Sequence, residues 1–260
     1  MTDWIWAGLA LIAFAALGIG RIVDRRRLAQ LERLLVAEGQ KLEHLQRQFE
    51  RFAPAQVVEQ LTEGAAAYAP DRRQVTILFA DLLGFTALCD RLDPAVTVSM
   101  LNDYFHRMTE AISRHHGHVA ALMGDGLLAL FGALEPNPWQ ERDSVLAALE
   151  MRSELAQYNM SLRSRDLPEL RFGVGIHKGE VVAGVMGAGG LFKFDVAGDT
   201  VNVASRVEGL TSKYQVDLLI TEEIRSALDD SFRVAPMAPA AVKGKAEPIQ
   251  TYYVETVQAG

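Results

Sequence analysis

The chain has 260 residues, a formal net charge of −7 and a single cysteine. That length holds one substantial domain plus appendages rather than two full domains, and the acidic balance argues against a nucleic-acid partner. The lone Cys89 excludes an internal disulfide and suits a reducing compartment; with no histidine partner in evidence, it reads as packing on a helix rather than as a nucleophile.

The first element is Trp4 to Gly20, a run without a charge followed by Arg21, Arg25, Arg26 and Arg27. With Ile22 and Val23 it reaches the length of a membrane span, and Trp4 and Trp6 suit the interfacial belt. The positive-inside rule places the arginines in the cytoplasm and the N-terminus outside, which predicts a single-pass anchor in the cell (inner) membrane over residues 1–23. A signal peptide would carry its positive charge ahead of the apolar run, where Met1-Thr2-Asp3 stands. A buried soluble helix fits less well, because the arginines cluster at one end.

Leu28, Leu35, Leu42 and Phe49 recur every seven residues, with Leu31, Leu45 and Phe52 in the second apolar position and Glu38 breaking it once. Such heptads predict a parallel coiled coil within residues 24–63. A monomeric amphipathic helix is the other reading; anchoring on a common membrane face favours the pair. The remaining 64–260 read as one domain, entered through a linker at 64–71.

That domain starts with VTILFADLLGFT (75–86). A short β-branched and apolar run predicts a strand. Asp81 closes it, Gly84 makes the turn, and Phe85 and Thr86 open a helix. A glycine turn into a helix start presents backbone N–H groups to phosphate. On this stretch alone, Asp81 serves equally as a helix cap or as a ligand for a hard cation. Residues 94–116 predict an amphipathic helix. In 119–131, two apolar runs flank Gly124-Asp125-Gly126, a hairpin with a carboxylate at its tip. Two strand-end carboxylates brought to one point repel unless a cation lies between them, and magnesium with phosphate as co-ligand fits such a pair.

Further on, 139–162 predicts a helix, and 171–176 and 180–185 predict two strands joined at His177-Lys178-Gly179. FDVAGDTVNVASRVE (194–208) has a helix start at Gly198-Asp199-Thr200 and places Asn202 and Arg206 on one helical face. An amide beside a guanidinium suits a nucleotide's ribose and phosphates; a surface ion pair of Arg206 with Glu208 or Asp199 is the alternative. A strand at 216–220, a short helix at 222–228 and terminal strands within 232–257 complete an α+β order with helices packed on a sheet. His115, His116 and His118 have the wrong spacing for two ligands on one helix face and read as a solvated helix end.

Taken together, FADLLGFT, MGDGLLALFG and GDTVNVASR, with GIHKGEVVAGVMG (175–187), VKGK (242–245) and TYYVETV, resemble the class III nucleotidyl cyclases, the adenylate and guanylate cyclases. The resemblance spans about Arg72 to Val257, and five ordered motifs at family spacing are specific. It implies a ferredoxin-like core and conversion of ATP to 3′,5′-cyclic AMP and pyrophosphate with two Mg²⁺ or Mn²⁺ ions per active site. Asp81, Asp125 and the Leu82 carbonyl would hold the ions, and Gly84, Phe85 and Thr86 would line the substrate. Asn202 would orient the ribose, Arg206 would stabilise charge at the α-phosphate, Lys243 would contact the terminal phosphates, and Asp195 would read adenine.

The resemblance further implies a homodimer, paired through the coiled coil and the catalytic domains, in which the aspartates of one chain face the Asn/Arg/Lys set of the other. Two positions depart from the family pattern. Ala121 stands where adenylate cyclases usually carry a base-contacting lysine, and Gly190-Leu191 stands where an arginine often precedes the Asp195 segment. Both predict weakened base discrimination. The alternatives to an adenylate cyclase are therefore a cyclase of relaxed or guanine (GTP) selectivity and a catalytically weak nucleotide-binding module.

Overall fold

A computed structural model describes residues 70–188, 191–241 and 247–258. The expected anchor (1–23), the expected coiled coil (24–63) and Lys243 lie outside the described residues. Among the described residues no helix is long and apolar enough to cross a membrane.

The apolar run beginning at Val75 becomes the middle of β1 (Asp71–Leu82), where Val75 to Leu78 are fully buried. Both faces of this strand are covered, which is why it reads as a continuous apolar run rather than an alternation. It lies between β3 (Gly126–Phe131) and β4 (Phe172–Ala188), antiparallel to each. Adding β2 (His118–Met123), β5 (Leu191–Ala197), β6 (Leu218–Thr221), β7 (Phe232–Pro236) and β8 (Thr251–Val257) gives the order β2-β3-β1-β4-β6-β8-β7, with β5 paired to β4. The β4–β6 pair is parallel.

Helix α1 (Phe85–Cys89) is a short turn after β1. Helix α2 (Pro94–Arg114) begins where expected, with Asp93 accepting from the Ala95 N–H at 2.8 Å and Pro94 in the first turn. It packs with α3 (Gln140–Ser164) on one face of the sheet, burying Met100, Tyr104, Met108, Met151 and Tyr158 against Leu78, Ala80, Val174 and Ile176. At the start of α3 the Gln140 amide extends the sheet past the end of β3: it accepts from the Thr76 N–H at 2.8 Å and donates to the Gln74 carbonyl.

Helix α4 (Asp199–Tyr214) lies on the opposite face, where Val203 and Val207 meet Leu219. Strand side chains alternate between faces, so α4 meets Gly173, Gly175 and Gly179 of β4. A Cβ at Gly175 would overlap the backbone nitrogen of Glu208 and lie 2.7 Å from the Ala204 carbonyl oxygen. The glycines let helix backbone rest on strand backbone. The short α5 (Glu222–Arg225) follows β6.

One expectation is corrected. The strands expected at 171–176 and 180–185 are one continuous β4, with no turn at His177-Lys178-Gly179. The reason is its partner: β1 pairs with it without a break, from Leu82 opposite Phe172 to Asp71 opposite Ala183. The polar residues are satisfied within the sheet. His177 Nδ1 is 2.9 Å from Thr221 Oγ1 and 3.5 Å from the Glu223 carboxylate, whose pKa this hydrogen bonding pulls down to about 2. Lys178 pairs with Glu141. Strand β5, for which the sequence gives no clear period and no expectation, forms a hairpin with β4 and places Asp195 opposite Gly184.

Candidate active site

Asp81 is the last residue but one of β1, and Asp125 sits in the two-residue turn between β2 and β3, where Met123 pairs with Gly126. Gly124 at φ 65° supplies the left-handed position that a tight hairpin of this kind needs. The β1–β3 pairing brings the two carboxylates together. A Cβ on Gly126 would lie only 3.0 Å from Asp81 Oδ1, so the residue beside Asp125 leaves no room for anything but that carboxylate. Burial raises the Asp81 pKa and the Asp125 charge raises it further, against a hydrogen bond from the Leu82 backbone that lowers it.

A third carboxylate joins them, one that the sequence offers only as an ion-pair partner of Arg206. Glu208 on α4 faces β4, and its pKa is pushed up to about 7 by burial first and then by Asp81 and Asp125. Side chains that crowd negative charge at one point suit a hard divalent cation. The residues present fit Mg²⁺ or Mn²⁺, with Asp81 and Asp125 as the side chains to hold it. Leu82 follows directly, with its side chain buried and its backbone at the mouth of the site.

The nucleotide side of the expected site lies elsewhere on α4. At about 100° per residue, Asn202 and Arg206 share one face, and Glu208 is turned about 200° from Arg206. Glu208 points to the sheet beside Asp81, while Asn202 is exposed and Arg206 half-buried on the other side of the helix. Within one chain, therefore, the helix separates the Asn/Arg pair from the aspartates. Gly84 adopts φ 74°, a conformation that favours glycine, with open space around its α-carbon. Phe85 is buried in the main core and offers a ligand only its backbone, whereas Thr86 is exposed.

Asp195 lies on β5 with one carboxylate oxygen on the Val196 N–H at 2.9 Å and the other 2.8 Å from Lys193 Nζ. Lys193 stands outside the sequence motifs. The signal that points to it is the i, i+2 spacing, which puts two strand residues on the same face. Ala121 pairs with Leu128 just past an irregularity in β2.

A family model described as the adenylate and guanylate cyclase catalytic domain matches residues 67–256. The chain belongs to that family. Among proteins similar to this cyclase domain is an adenylate cyclase of Anabaena cylindrica, 35% identical over 222 residues that make up 80% of this chain and 42% of that one. The chain thus spans less than half the length of this relative. Among solved structures, the guanylyl cyclase Cya2 superposes with a TM-score of 0.68 at 34% identity over 72% of this chain and 94% of that chain. The adenylyl cyclase CyaB from P. aeruginosa gives 0.69 at 26% identity over 73% and 97%. Both kinds of cyclase are therefore neighbours, and the α+β fold expected from the motifs is the fold of these structures.

The carboxylate cluster gives this cyclase domain a definite pH response. A carboxyl whose folded pKa exceeds its ordinary value binds more protons folded than unfolded, so the stability it contributes is present at low pH and lost as pH rises through the folded value. For Glu208 that window runs from its ordinary 4.5 to about 7. The Tm of metal-free protein is expected to fall between about pH 5 and pH 8, and Glu208→Gln is expected to flatten that fall. Calorimetry across the pH series in chelator checks it; an unchanged slope in Glu208→Gln refutes it.

Proposed function

We propose that this chain is a membrane-anchored, homodimeric adenylate cyclase that converts ATP to 3′,5′-cyclic AMP and pyrophosphate, with two Mg²⁺ or Mn²⁺ ions per site. The observation that carries the reading is the convergence of Asp81 and Asp125 at one strand end, with Asn202 and Arg206 presented on the outward side of the helix that backs them. Such a division leaves each chain with two half-sites and calls for a second copy to face them.

In this reading Asp81 and Asp125 hold the ions, which lower the pKa of the ribose 3′ hydroxyl and neutralise phosphate charge. Asn202 from the other chain orients the ribose. Arg206 binds the α-phosphate, where negative charge grows as the 3′ oxygen attacks and pyrophosphate leaves. Lys243 takes the terminal phosphates, and the backbone at Gly84, Phe85 and Thr86 borders them. The anchor and coiled coil over 1–63 would hold two chains side by side on the cytoplasmic face of the membrane and raise the effective concentration of the pairing.

Adenine selectivity is supported by Asp195 and Lys193 together. The carboxylate can accept from the adenine amino group, and the ammonium beside it can donate to N1. The lysine missing at position 121 thus has a counterpart two residues before Asp195. Ala121 favours a second reading, relaxed base selectivity, and one experiment separates the two. Purified chain is assayed with ATP and with GTP in Mn²⁺, for each cyclic product, as wild type, Lys193→Met and Ala121→Lys.

An adenylate cyclase of this design prefers ATP. Loss of one hydrogen bond to the base costs about 1–3 kcal/mol, so Lys193→Met is expected to lower kcat/KM for ATP by about 5- to 150-fold and leave GTP turnover unchanged. Equal use of both nucleotides by wild type, with no response to Lys193→Met, supports relaxed selectivity. No cyclic product from either nucleotide refutes the cyclase reading.

A further inference from the structure

We propose that Glu208 is the outer carboxylate of the metal centre, a positioning residue that accepts hydrogen bonds from the water shell of the cation held by Asp81 and Asp125. The inference rests on the metal reading above.

Gly173 is the cross-strand partner of Asp81, and side chains directly opposite each other in an antiparallel pair stand about 4.5–5.5 Å apart at Cβ. Residue 173 has no side chain. The place its Cβ would take is 2.7 Å from Glu208 Oε1. Glu208 therefore reaches down from α4 and fills the position next to Asp81 that the strand leaves open. It gets there because Gly173 and Gly175 let α4 rest on the backbone of β4; a side chain at either would lift the helix and withdraw the carboxylate.

Two further groups point to a ligand at this spot. Thr211, one helical turn beyond Glu208, is fully buried, and its Oγ1 crowds the same place over Gly173 with no hydrogen-bond partner among the described residues. The Tyr104 hydroxyl is likewise buried with no hydrogen-bond partner among the described residues, and Asp81, Asp125 and Glu208 are the charges that act on it. Buried hydroxyls are normally hydrogen-bonded. Orphan hydroxyls beside clustered carboxylates suit a hydrated cation.

Glu208 does not complete a direct ligand set: among the described residues no three carboxylate, histidine or cysteine side chains come together to hold a metal. Magnesium and its substitutes keep part of their water shell, and outer carboxylates that orient bound water affect metal affinity strongly.

The test is Mn²⁺ binding to the full chain without nucleotide, followed by electron paramagnetic resonance, for wild type, Asp81→Asn, Glu208→Gln and Glu208→Asp. Glu208→Gln is expected to raise the Mn²⁺ Kd about tenfold, and Glu208→Asp to raise it by less, since the charge stays but withdraws by one methylene. Melting curves in chelator accompany each titration. A purely structural glutamate would lower the Tm and leave the Kd of the folded fraction alone. A Kd within about twofold of wild type for folded Glu208→Gln, while Asp81→Asn loses Mn²⁺, overturns the inference and keeps the metal reading. Unchanged Mn²⁺ binding in Asp81→Asn overturns both.

Discussion

Asp81→Ala and Asp125→Ala are each expected to abolish cyclic nucleotide formation, by a factor of at least about 10³, in protein that remains folded. A metal ion supplies several kcal/mol of charge stabilisation in reactions of this kind, and each 1.36 kcal/mol is tenfold in rate. Neither aspartate holds the fold together. Asp81 is made costly in its charged form by burial and by Asp125, which outweigh the hydrogen bond from the Leu82 backbone, so removing either charge relieves more repulsion than the interaction it gives up. The Tm in chelator is therefore expected to hold or rise, while stabilisation by added Mn²⁺ disappears. Product assays beside melting curves check both halves. Retained turnover in either variant would sink the metal assignment, and a collapsed Tm would mean the carboxylate has a structural role that its surroundings do not suggest.

The second large effect concerns two chains. Asp81→Ala and Arg206→Ala are each expected to be inactive alone, and mixing them is expected to restore activity. On α4, Glu208 faces the sheet beside Asp81, whereas Asn202 and Arg206 face about the opposite way, so in the proposed dimer each chain's aspartates work with the other chain's arginine. In a mixed dimer one site is intact and the other carries both lesions. Dimers isolated through both tags are all mixed and each has one of two sites intact, so recovery of about half of the wild-type rate per dimer is expected. Co-expression with two affinity tags, purification through both and a product assay give the answer. An inactive doubly tagged heterodimer would place the whole site in one chain.

Much of this arrangement is legible in the amino-acid sequence. β1 announces itself by apolar residues at adjacent positions, the 124–126 hairpin by its glycines, and α2 by apolar residues recurring at spacings of three and four. The misreadings have specific causes. His177-Lys178-Gly179 resembles a turn because polar residues and glycine usually punctuate strands, but here an unbroken partner strand holds the backbone straight while Thr221, Glu223 and Glu141 take up the side chains. β5 is hidden because its seven residues carry mixed character and owe their conformation to pairing with β4. Lys193 is hidden for the same reason: its link to Asp195 exists only once 191–197 is extended.

By itself, then, the sequence determined the family and the α+β class and singled out Asp81, Asp125, Asn202 and Arg206 as candidates, because each is carried by a short contiguous motif whose local conformation its own residues dictate. Only the tertiary structure decided what stands beside them. Glu208 reaches the cross-strand position next to Asp81 through glycines at 173 and 175, far from it along the chain, and through a strand register that local propensity does not encode. Such neighbours are chosen by how closely a helix can approach a sheet, which is a property of the packed whole and of no single stretch.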